Sequence, residues 1–360
     1  MWSNFGPLEA EREIIRMQII ELEDEGNAAW DEYVFALDLA TIFHLSGWKD
    51  VMRDTFGLRP KYLIAKEGNQ ICGGLPLLHI KSKLSGHFYT SMPGGICTQD
   101  QEAAEALLEH TKGLVRDSKA KYLILRDSRY KWTLPELVTS EEHCTFTVKL
   151  CESPEKMWKS IDRRVRQHIQ KAIKEDLIVM IGPEYLDEFY RSYSKVMREM
   201  GTPTLGSKFF QNVFHEFSDH FTTIMVHNHE MGYGGIVAAC FKDTIYTVWW
   251  GMPREFYKNH SCHILNWETL KYGCLNEFSQ VDLGRSRWNS GTYKFKERWP
   301  AEPQPLYQQF FLNGISEPPG VGSDMDEDPK YRLFVRVWRH LPQQLTDTIG
   351  PRLRKRMPFG

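Results

Sequence analysis

The chain has 360 residues, 41% of them apolar, and a formal net charge of −2 at pH 7. This length is enough for two globular units of ordinary size. The near balance of charge excludes a general attraction to nucleic acid, so any site for a phosphate must be local.

The seven cysteines include no CxxC pair. In a chain of this length that usage is typical of reduced thiols in a cytosolic protein. The sequence begins without the basic and then apolar pattern of a signal peptide, and no apolar run approaches the roughly 20 residues that cross a bilayer. We therefore expect a cytoplasmic protein.

The first half of the sequence predicts alternating helices and strands. Residues 9–25 fit either a leading helix or a strand over 17–22. Ser46 is the expected N-cap of a helix that Gly57 ends. The elements predicted after it are a strand hairpin over 61–66 and 71–80, a helix over 102–119, and strands over 122–125 and 144–150.

The second half repeats this layout. When the two hairpins are set side by side, the Gly-Gly pair at 73–74 falls on the pair at 234–235, and Met-Pro at 92–93 falls on Met-Pro at 252–253. The offsets are 161 and 160 residues. Two matches this short also arise by chance; the alternative is a tandem duplication, and a repeat of this length indicates paired domains rather than a solenoid. The strands that carry the repeat are predicted over 221–226, 234–241 and 244–250.

These patterns predict an α+β fold with two tandem domains, over 1–150 and 151–315, each with a mixed sheet and flanking helices. Residues 316–360 then form an acidic linker, a helix over 331–341 and a basic tail. Two interpretations of the tail at 352–356 stay open: a frayed, solvated end, or weak contact with an anionic membrane surface.

Residues 157–174 predict one amphipathic helix with an apolar stripe and an unbalanced basic face. Arg163 and Arg166 lie on that face. A phosphate or diphosphate of a substrate, or a tRNA backbone, would stabilise such a face. A solvated face balanced by acids from elsewhere explains the same pattern.

The most informative stretch runs from 281 to 299, where Val-Asp-Leu-Gly-Arg-Ser is followed by Gly-Thr-Tyr-Lys-Phe-Lys-Glu-Arg-Trp. A strand ends at Gly284, and a short helix follows a polar loop. Ligands gather at such junctions because free backbone groups and side chains converge there. Lys296 beside Phe295 can place an ammonium near a developing oxyanion or a phosphate, although a lysine on a helix is commonly just solvated.

This series resembles the C-terminal signature of the FemAB-like family, whose members attach amino acids to peptidoglycan precursors from aminoacyl-tRNA. It is similar above all to FemAB-related proteins linked to exopolysaccharide and PEP-CTERM sorting systems, and to BioF2-like acetyltransferase domains of the GNAT superfamily. The motif His-Leu-Ser-Gly-Trp at 44–48, the hairpin at 73–77 and the segment 333–341 extend the likeness over most of the chain. The resemblance implies two tandem GNAT-like domains, which agrees with the internal repeat.

The resemblance also implies roles for single residues. Lys296, with Phe295 beside it, helps stabilise the reacting centre. Arg198, Tyr193 and Tyr246 are candidates for holding the diphosphate or peptide of the precursor. The remaining substrate-binding candidates are Arg285, Arg163 and Arg166.

Asp282 is the one candidate for a general base. No metal site is expected, because the group at 260–263 has ligand-type side chains but lacks a second cluster that would complete four ligands.

Two acyl donors stay open, aminoacyl-tRNA and acyl-CoA. Coenzyme A is disfavoured because residues 254–263, which follow the central strand of the second half, contain no glycine to let backbone N–H groups approach a pyrophosphate.

The resemblance implies an acyl- or aminoacyltransferase that acts on a cell-envelope glycan or peptidoglycan-type precursor, lipid-linked or free, with tRNA as a partner when it is the donor. Two other functions remain open: an acetyl-CoA-dependent acetyltransferase of exopolysaccharide units, and a non-catalytic GNAT-like protein that binds a precursor.

Overall fold

The computed structural model describes residues 17–82, 86–319 and 329–355, and for residues 330 and 331 it describes the backbone alone. Both halves of the chain form the same succession of strands. The first half contains β1 (Gln18–Glu21), α1 (Asn27–Ala36), α2 (Trp48–Phe56), β2 (Lys61–Glu67), β3 (Gln70–Ser82), β4 (Gly86–Pro93), α3 (Gln101–Asp117), β5 (Tyr122–Ser128) and β6 (Leu137–Lys149).

The second half begins with two helices that replace the single predicted one. Its elements are α4 (Pro154–Ser160), α5 (Arg163–Lys174), β7 (Ile178–Ile181), α6 (Leu186–Met200), α7 (Ser207–Glu216), β8 (Phe221–His227), β9 (Gly232–Phe241), β10 (Thr244–Gly251), α8 (Ser261–Leu275), β11 (Gln280–Arg287), α9 (Gly291–Lys296) and β12 (Ala301–Leu312). Two further helices follow, α10 (Pro329–His340) and α11 (Gln343–Arg354).

The strands form one twelve-stranded sheet in the order β1-β2-β3-β4-β5-β12-β6-β11-β10-β9-β8-β7. Each strand of the first half corresponds to the strand of the second half whose number is six higher, and corresponding strands lie equally far from the two edges of the sheet. Two neighbouring pairs run parallel, β4 with β5 and β10 with β11. The predicted α+β class, a mixed sheet with flanking helices built twice, is confirmed.

The two halves exchange their last strands. β12, from the second half, lies between β5 and β6 and pairs with both, so that Phe310 is opposite Ile124 on one side and Val138 on the other. In return, β6 of the first half pairs with β11. Each half is therefore completed by a strand of the other. The domain limits proposed at 150 and 315 stay a prediction, with one continuous sheet crossing them.

The glycine pairs of the sequence repeat lie in corresponding strands, 73–74 in β3 and 234–235 in β9. A Cβ at Gly74 would lie 2.5 Å from a ring carbon of Trp30, and one at Gly235 would lie 2.0 Å from the carbonyl oxygen of Ile224. Both hairpins therefore need glycine because another group approaches the backbone closely.

A shared core joins the two halves on one face of the sheet. There Trp48 of α2 packs against Phe217, with ring centroids 5.1 Å apart, and both belong to a buried cluster that includes Phe189 of α6. On the other face, α3 covers the first half, and α4, α5 and α8 cover the second. Burial of these aromatic and aliphatic side chains is the main term that stabilises the arrangement.

Gly47, and not Ser46, is the N-cap of α2. The backbone N–H and the hydroxyl of Ser46 instead donate to the two carboxylate oxygens of Asp31, each at 2.7 Å. The predicted end of the helix is confirmed, because Gly57 adopts the left-handed conformation with φ of 64°.

The prediction of one helix over 157–174 is wrong. α4 ends at Ser160, Ile161 is extended, and Asp162 caps α5 by accepting a hydrogen bond from the Arg164 N–H at 2.8 Å. An aspartate directly before a basic run is a helix start, and this capping signal outweighs the continuous apolar stripe.

Residues 352–354 of the basic tail form the end of α11, so the interpretation of the tail as a frayed end is wrong over that range. Arg354 is only 7% exposed. The predicted helix over 331–341 is α10, and the leading segment contains the strand β1. Residues 9–16, 320–328 and 356 lie outside the described residues.

Within residues 17–82, 86–319 and 329–355, no helix combines the length and the apolar character needed to cross a membrane.

Candidate active site

The parallel strands β10 and β11 part near the middle of the sheet. Their ladder ends at Tyr246 opposite Asp282. Beyond that pair, β10 continues alongside β9, and β11 continues alongside β6 after an irregularity between Asp282 and Arg285. We call the gap between residues 247–251 of β10 and 283–287 of β11 the open seam. Backbone groups that face such a gap are available to a ligand.

The corresponding strands of the first half stay joined. The ladder between β4 and β5 runs as far as Pro93 opposite Arg126. The Arg126 N–H also donates to the Ser91 hydroxyl, and its carbonyl oxygen accepts from the Gly94 N–H, both at 2.8 Å. The seam is thus closed in the first half and open in the second.

Lys296 ends α9 and reaches the open seam. Its ammonium donates to the carbonyl oxygens of Gly284 at 2.8 Å and Arg285 at 3.2 Å. Burial lowers the pKa of Lys296 to about 8, and the negative charge of Asp282 offsets part of that effect. Backbone carbonyls therefore hold the lysine at a partly dry position. This position differs from that of a lysine that is simply solvated on a helix surface.

Phe295 is half-buried beside Lys296. Its ring meets the His263 ring edge-on with centroids 5.1 Å apart, and it lies 6.4 Å from the Trp299 ring. These aromatic groups belong to the core under α8. They shield the lysine from water on that face of the sheet.

Asp282 is buried, and both of its carboxylate oxygens accept hydrogen bonds. Oδ1 accepts from the Thr145 hydroxyl and from the Gly284 N–H, the latter at 2.6 Å, and Oδ2 accepts from the Arg129 guanidinium. The carboxylate thus ties β11 to β6 and to the end of β5. Its position at the last pair of the ladder fixes where the seam begins.

A cavity of about 340 Å³ opens on the face of the sheet opposite Phe295. Both halves line it, and its wall includes Gly284, whose carbonyl oxygen holds Lys296. Of the residues predicted from the sequence, Tyr246, Asp282 and Arg285 line it. The cavity and Lys296 therefore meet at the open seam from the two faces of the sheet.

Two arginines in the cavity wall are held by aspartates. Arg129 binds Asp282 and lies over the Tyr246 ring, 5.4 Å from its centroid. Arg285 Nη1 lies 3.5 Å from Asp127 Oδ1.

Arg285 also donates from Nη2 to His143 Nε2 at 3.0 Å. Burial and the positive charge of Arg285 lower the pKa of His143 to about 4, so this ring is neutral at pH 7 and accepts that bond. Burial acts to raise the pKa of Asp127, but the charges of Arg285 and Arg126 outweigh it and the pKa is lowered.

Arg198 and Tyr193 lie away from the cavity. Arg198 donates to the carbonyl oxygen of Leu341 at 3.2 Å and so fastens α6 to the end of α10. Tyr193 is buried among Phe189 and Phe210, and burial raises its pKa to about 12. Both residues occupy structural positions, and their predicted contact with a substrate is without geometric support.

Arg163 and Arg166 lie on α5, outside the cavity wall; Arg163 is exposed and Arg166 is half-buried. The same helix places His168 against His260 and His263, with ring centroids 4.5 Å and 4.7 Å away. Over the described parts of the chain, no group of three or more histidine, cysteine or acidic side chains is arranged to hold a metal ion.

Sequence reasoning missed Arg126, Arg129 and Arg354. Arg126 and Arg129 lie at and just after the end of β5, in the half where no site was expected, and Arg354 lies in the segment interpreted as a tail. A strand end followed by charged residues was the available signal at 126–129. It was applied to β11 but not to its counterpart β5.

A family model described as an acetyltransferase (GNAT) domain matches residues 159–297. That range contains β10, β11 and the open seam, and it ends one residue after Lys296. No curated protein matches the sequence.

Solved structures resemble nearly the whole chain. The crystal structure of FemX superposes with a TM-score of 0.63 at 13% identity, over 89% of this chain and 100% of that one. L-PGS from Bacillus licheniformis gives 0.54 at 8% identity, over 89% and 98%. A tandem GNAT protein from the clavulanic acid biosynthesis pathway gives 0.53 at 11% identity, over 84% and 100%. The chain therefore has a tandem GNAT-type fold that resembles FemX.

Proposed function

We propose that the protein is an acyltransferase that transfers an acyl or aminoacyl group to an amine, or to a hydroxyl, of a cell-envelope glycan or peptidoglycan-type precursor. The observation that supports this best is the position of Lys296, whose ammonium lies at the open seam beside the cavity. A cation held at a partly dry strand end is suited to stabilise the oxyanion that forms during acyl transfer.

In the proposed reaction the acceptor nitrogen attacks the carbonyl carbon of an activated ester. A C–N bond forms, the C–O bond to the leaving group breaks, and the proton of the amine passes to the leaving oxygen. Lys296 stabilises the charge on the carbonyl oxygen. Both oxygens of Asp282 are already engaged, so we assign it the positioning of Arg129 and Thr145 in place of the role of base.

The proposed donor is aminoacyl-tRNA, with acyl-CoA as the second candidate. The segment after β10 forms a 3₁₀ helix over Arg254–Asn259 and then enters α8. It contains no glycine, and this disfavours the close approach of a pyrophosphate to the backbone. Acetylation of exopolysaccharide units would use the same seam with the second donor.

We further propose that the protein works at the cytoplasmic face of the membrane on a lipid-linked form of the precursor. Arg352 and Lys355 are exposed at the end of α11. Each basic residue near an anionic surface adds about 1 kcal/mol of attraction, which is enough for weak peripheral contact.

The experiment that tests the function compares transfer from radiolabelled aminoacyl-tRNA and from acetyl-CoA to lipid-linked and soluble precursors. Lys296→Ala should lower turnover by about 10²–10³, because one well-aimed donor in a dry site stabilises the transition state by about that factor. Lys296→Arg should restore part of the activity, since a planar guanidinium cannot place its donors where the compact ammonium did.

Lys294→Ala is the matched control, because Lys294 lies on the same helix and is exposed. Circular dichroism should show wild-type folding in all three variants. Turnover in Lys296→Ala that equals that of Lys294→Ala would reject the catalytic role, and the non-catalytic binding function would then stand.

A further inference from the structure

The cavity between the two halves has more positive charge than its carboxylates balance. The charged residues that line it are Arg126, Arg129, Arg285, Arg354, Asp127 and Asp282. Among the described residues of the wall, four guanidinium groups therefore face two carboxylates. Arg129 and Arg285 are the two that contact these aspartates.

Arg126 is a buried cation whose hydrogen bonds are incomplete. It is only 7% exposed, and its Nε has no hydrogen-bond partner among the described residues. Burial lowers its pKa to about 10; the charge of Asp127 counteracts this, while those of Arg285 and Arg354 add to it. A buried cation whose N–H lacks an acceptor is unfavourable unless something else supplies the acceptor.

Most of the rest of the cavity wall is apolar. Phe43, Trp48 and Met52 line it from the first half, and Phe209 and Trp249 line it from the second. A volume of about 340 Å³ is within the range of pockets that enclose small ligands. Such a wall favours a hydrocarbon or aromatic body over a heavily hydroxylated one.

We propose that this cavity binds an amphiphilic anion, with its phosphate or carboxylate against Arg126 and its apolar body against the aromatic wall. The proposal rests on the proposed function, because it assigns the cavity beside the seam to the anionic and apolar part of the acceptor and leaves the hydroxylated part outside. The same chemistry occurs in the phosphate end of a lipid-linked molecule and in a small apolar carboxylate.

Binding can be measured directly, because Trp48 and Trp249 line the cavity and their fluorescence should respond to an occupant. The probes are octyl phosphate, octanol and inorganic phosphate, with calorimetry as the second readout. Octyl phosphate should bind at least tenfold more tightly than either of the other two. Equal affinity for octanol, or for inorganic phosphate, would overturn the proposal.

The variant that tests the anion contact is Arg126→Met, which keeps an unbranched stem and removes the guanidinium. It should lose at least tenfold in affinity for octyl phosphate and stay within twofold for octanol. Its Tm without ligand should not fall, since the substitution removes an uncompensated buried charge. Arg191→Met, at an exposed position on α6, should change neither affinity.

If Arg126→Met fails to fold, Arg354→Met tests the same anion contact, because Arg354 also lines the cavity and is equally buried. Unchanged octyl phosphate affinity in the folded variant would overturn the proposal.

Two further probe series identify the source of the anion. If alkyl phosphates bind more tightly as the alkyl chain lengthens from hexyl to decyl, the natural ligand is a lipid phosphate. If 3-phenylpropanoate binds more tightly than octyl phosphate, the natural ligand is a small carboxylate. Either result supports the proposal. Lys296→Ala should keep wild-type affinity for the preferred probe. If Lys296→Ala loses acyl transfer but still binds the probe, the lost function is that of Lys296 and the anion site stands. If the wild type transfers acyl groups but does not prefer octyl phosphate, the anion site is overturned and the proposed function stands.

Discussion

The ammonium of Lys296 lies 2.8 Å from the carbonyl oxygen of Gly284, at the place where β11 has parted from β10. Gly284 has φ of 79°, a conformation that glycine adopts without strain, and a Cβ there would lie 2.9 Å from the Thr247 carbonyl oxygen. Because residue 284 is glycine, its carbonyl oxygen can face Lys296 while the Thr247 carbonyl oxygen lies close to it across the seam. The position of Lys296 and the width of the seam therefore both depend on Gly284.

This arrangement predicts the pH dependence of transfer. Burial lowers the pKa of Lys296 to about 8, and only the ammonium form stabilises an oxyanion, so its contribution should be lost as pH rises through about 8. An acceptor amine has the opposite dependence. The quantity to measure is therefore the ratio of wild-type kcat to that of Lys296→Arg, whose guanidinium stays charged. This ratio should fall by roughly tenfold per pH unit above 8. A ratio that is flat between pH 7 and 10 would contradict the role of the ammonium.

The carboxylate of Asp282 predicts a loss of stability on neutralisation. Asp282→Asn keeps the shape but removes the charge that accepts from Arg129, Thr145 and the Gly284 N–H. Since Arg129 is partly exposed, we expect the free energy of unfolding to fall by about 1–3 kcal/mol, less than for a fully buried ion pair. Urea unfolding measures it, with the exposed Asp219→Asn as the control, expected within about 0.5 kcal/mol of the wild type. Equal stability of the two variants would mean that the Asp282 bonds are replaced by water.

Sequence reasoning predicted those parts of the molecule that depend on local patterns. Alternating apolar residues and turn signals predicted β2, β3, β8 and β9, and the repeated glycine pairs predicted the duplication. The strand end at Gly284 and the Phe-Lys pair after it predicted the lysine that the structure places at the seam. These features depend on residues close to one another in the chain.

The rest depends on contacts between distant segments. β12 enters between β5 and β6, and no local periodicity encodes such an exchange. Arg126 and Arg354 are more than 200 residues apart in the chain, yet both line the cavity. Arg198 had the local signal of a basic residue near a helix end, but its partner is the distant backbone of Leu341. Tertiary placement, rather than residue type, decided which arginines reach the site.

The burial of His44 makes the stability of the folded protein depend on pH. The ring is fully buried; its Nδ1 accepts from the Thr41 N–H at 2.9 Å, and its Nε2 lies 3.3 Å from the carbonyl oxygen of Gly95. These bonds suit the neutral ring with its proton on Nε2. Burial lowers the pKa of His44 to about 4, whereas in the unfolded chain it is about 6.5.

Since the folded pKa of His44 is lowered, the unfolded chain binds the proton first, and stability should be lost as pH falls from about 6.5 to about 4. A difference of this size corresponds to roughly 3 kcal/mol for one group. His143 and His263, with pKa values of about 4 and about 3, act in the same direction, so the contribution of His44 must be isolated. His44→Gln, which does not titrate, should unfold in urea with a shallower dependence on pH than the wild type over this range. His229→Gln, at an exposed position, should keep the wild-type slope. Equal slopes for His44→Gln and the wild type would show that the buried ring is not the group that titrates.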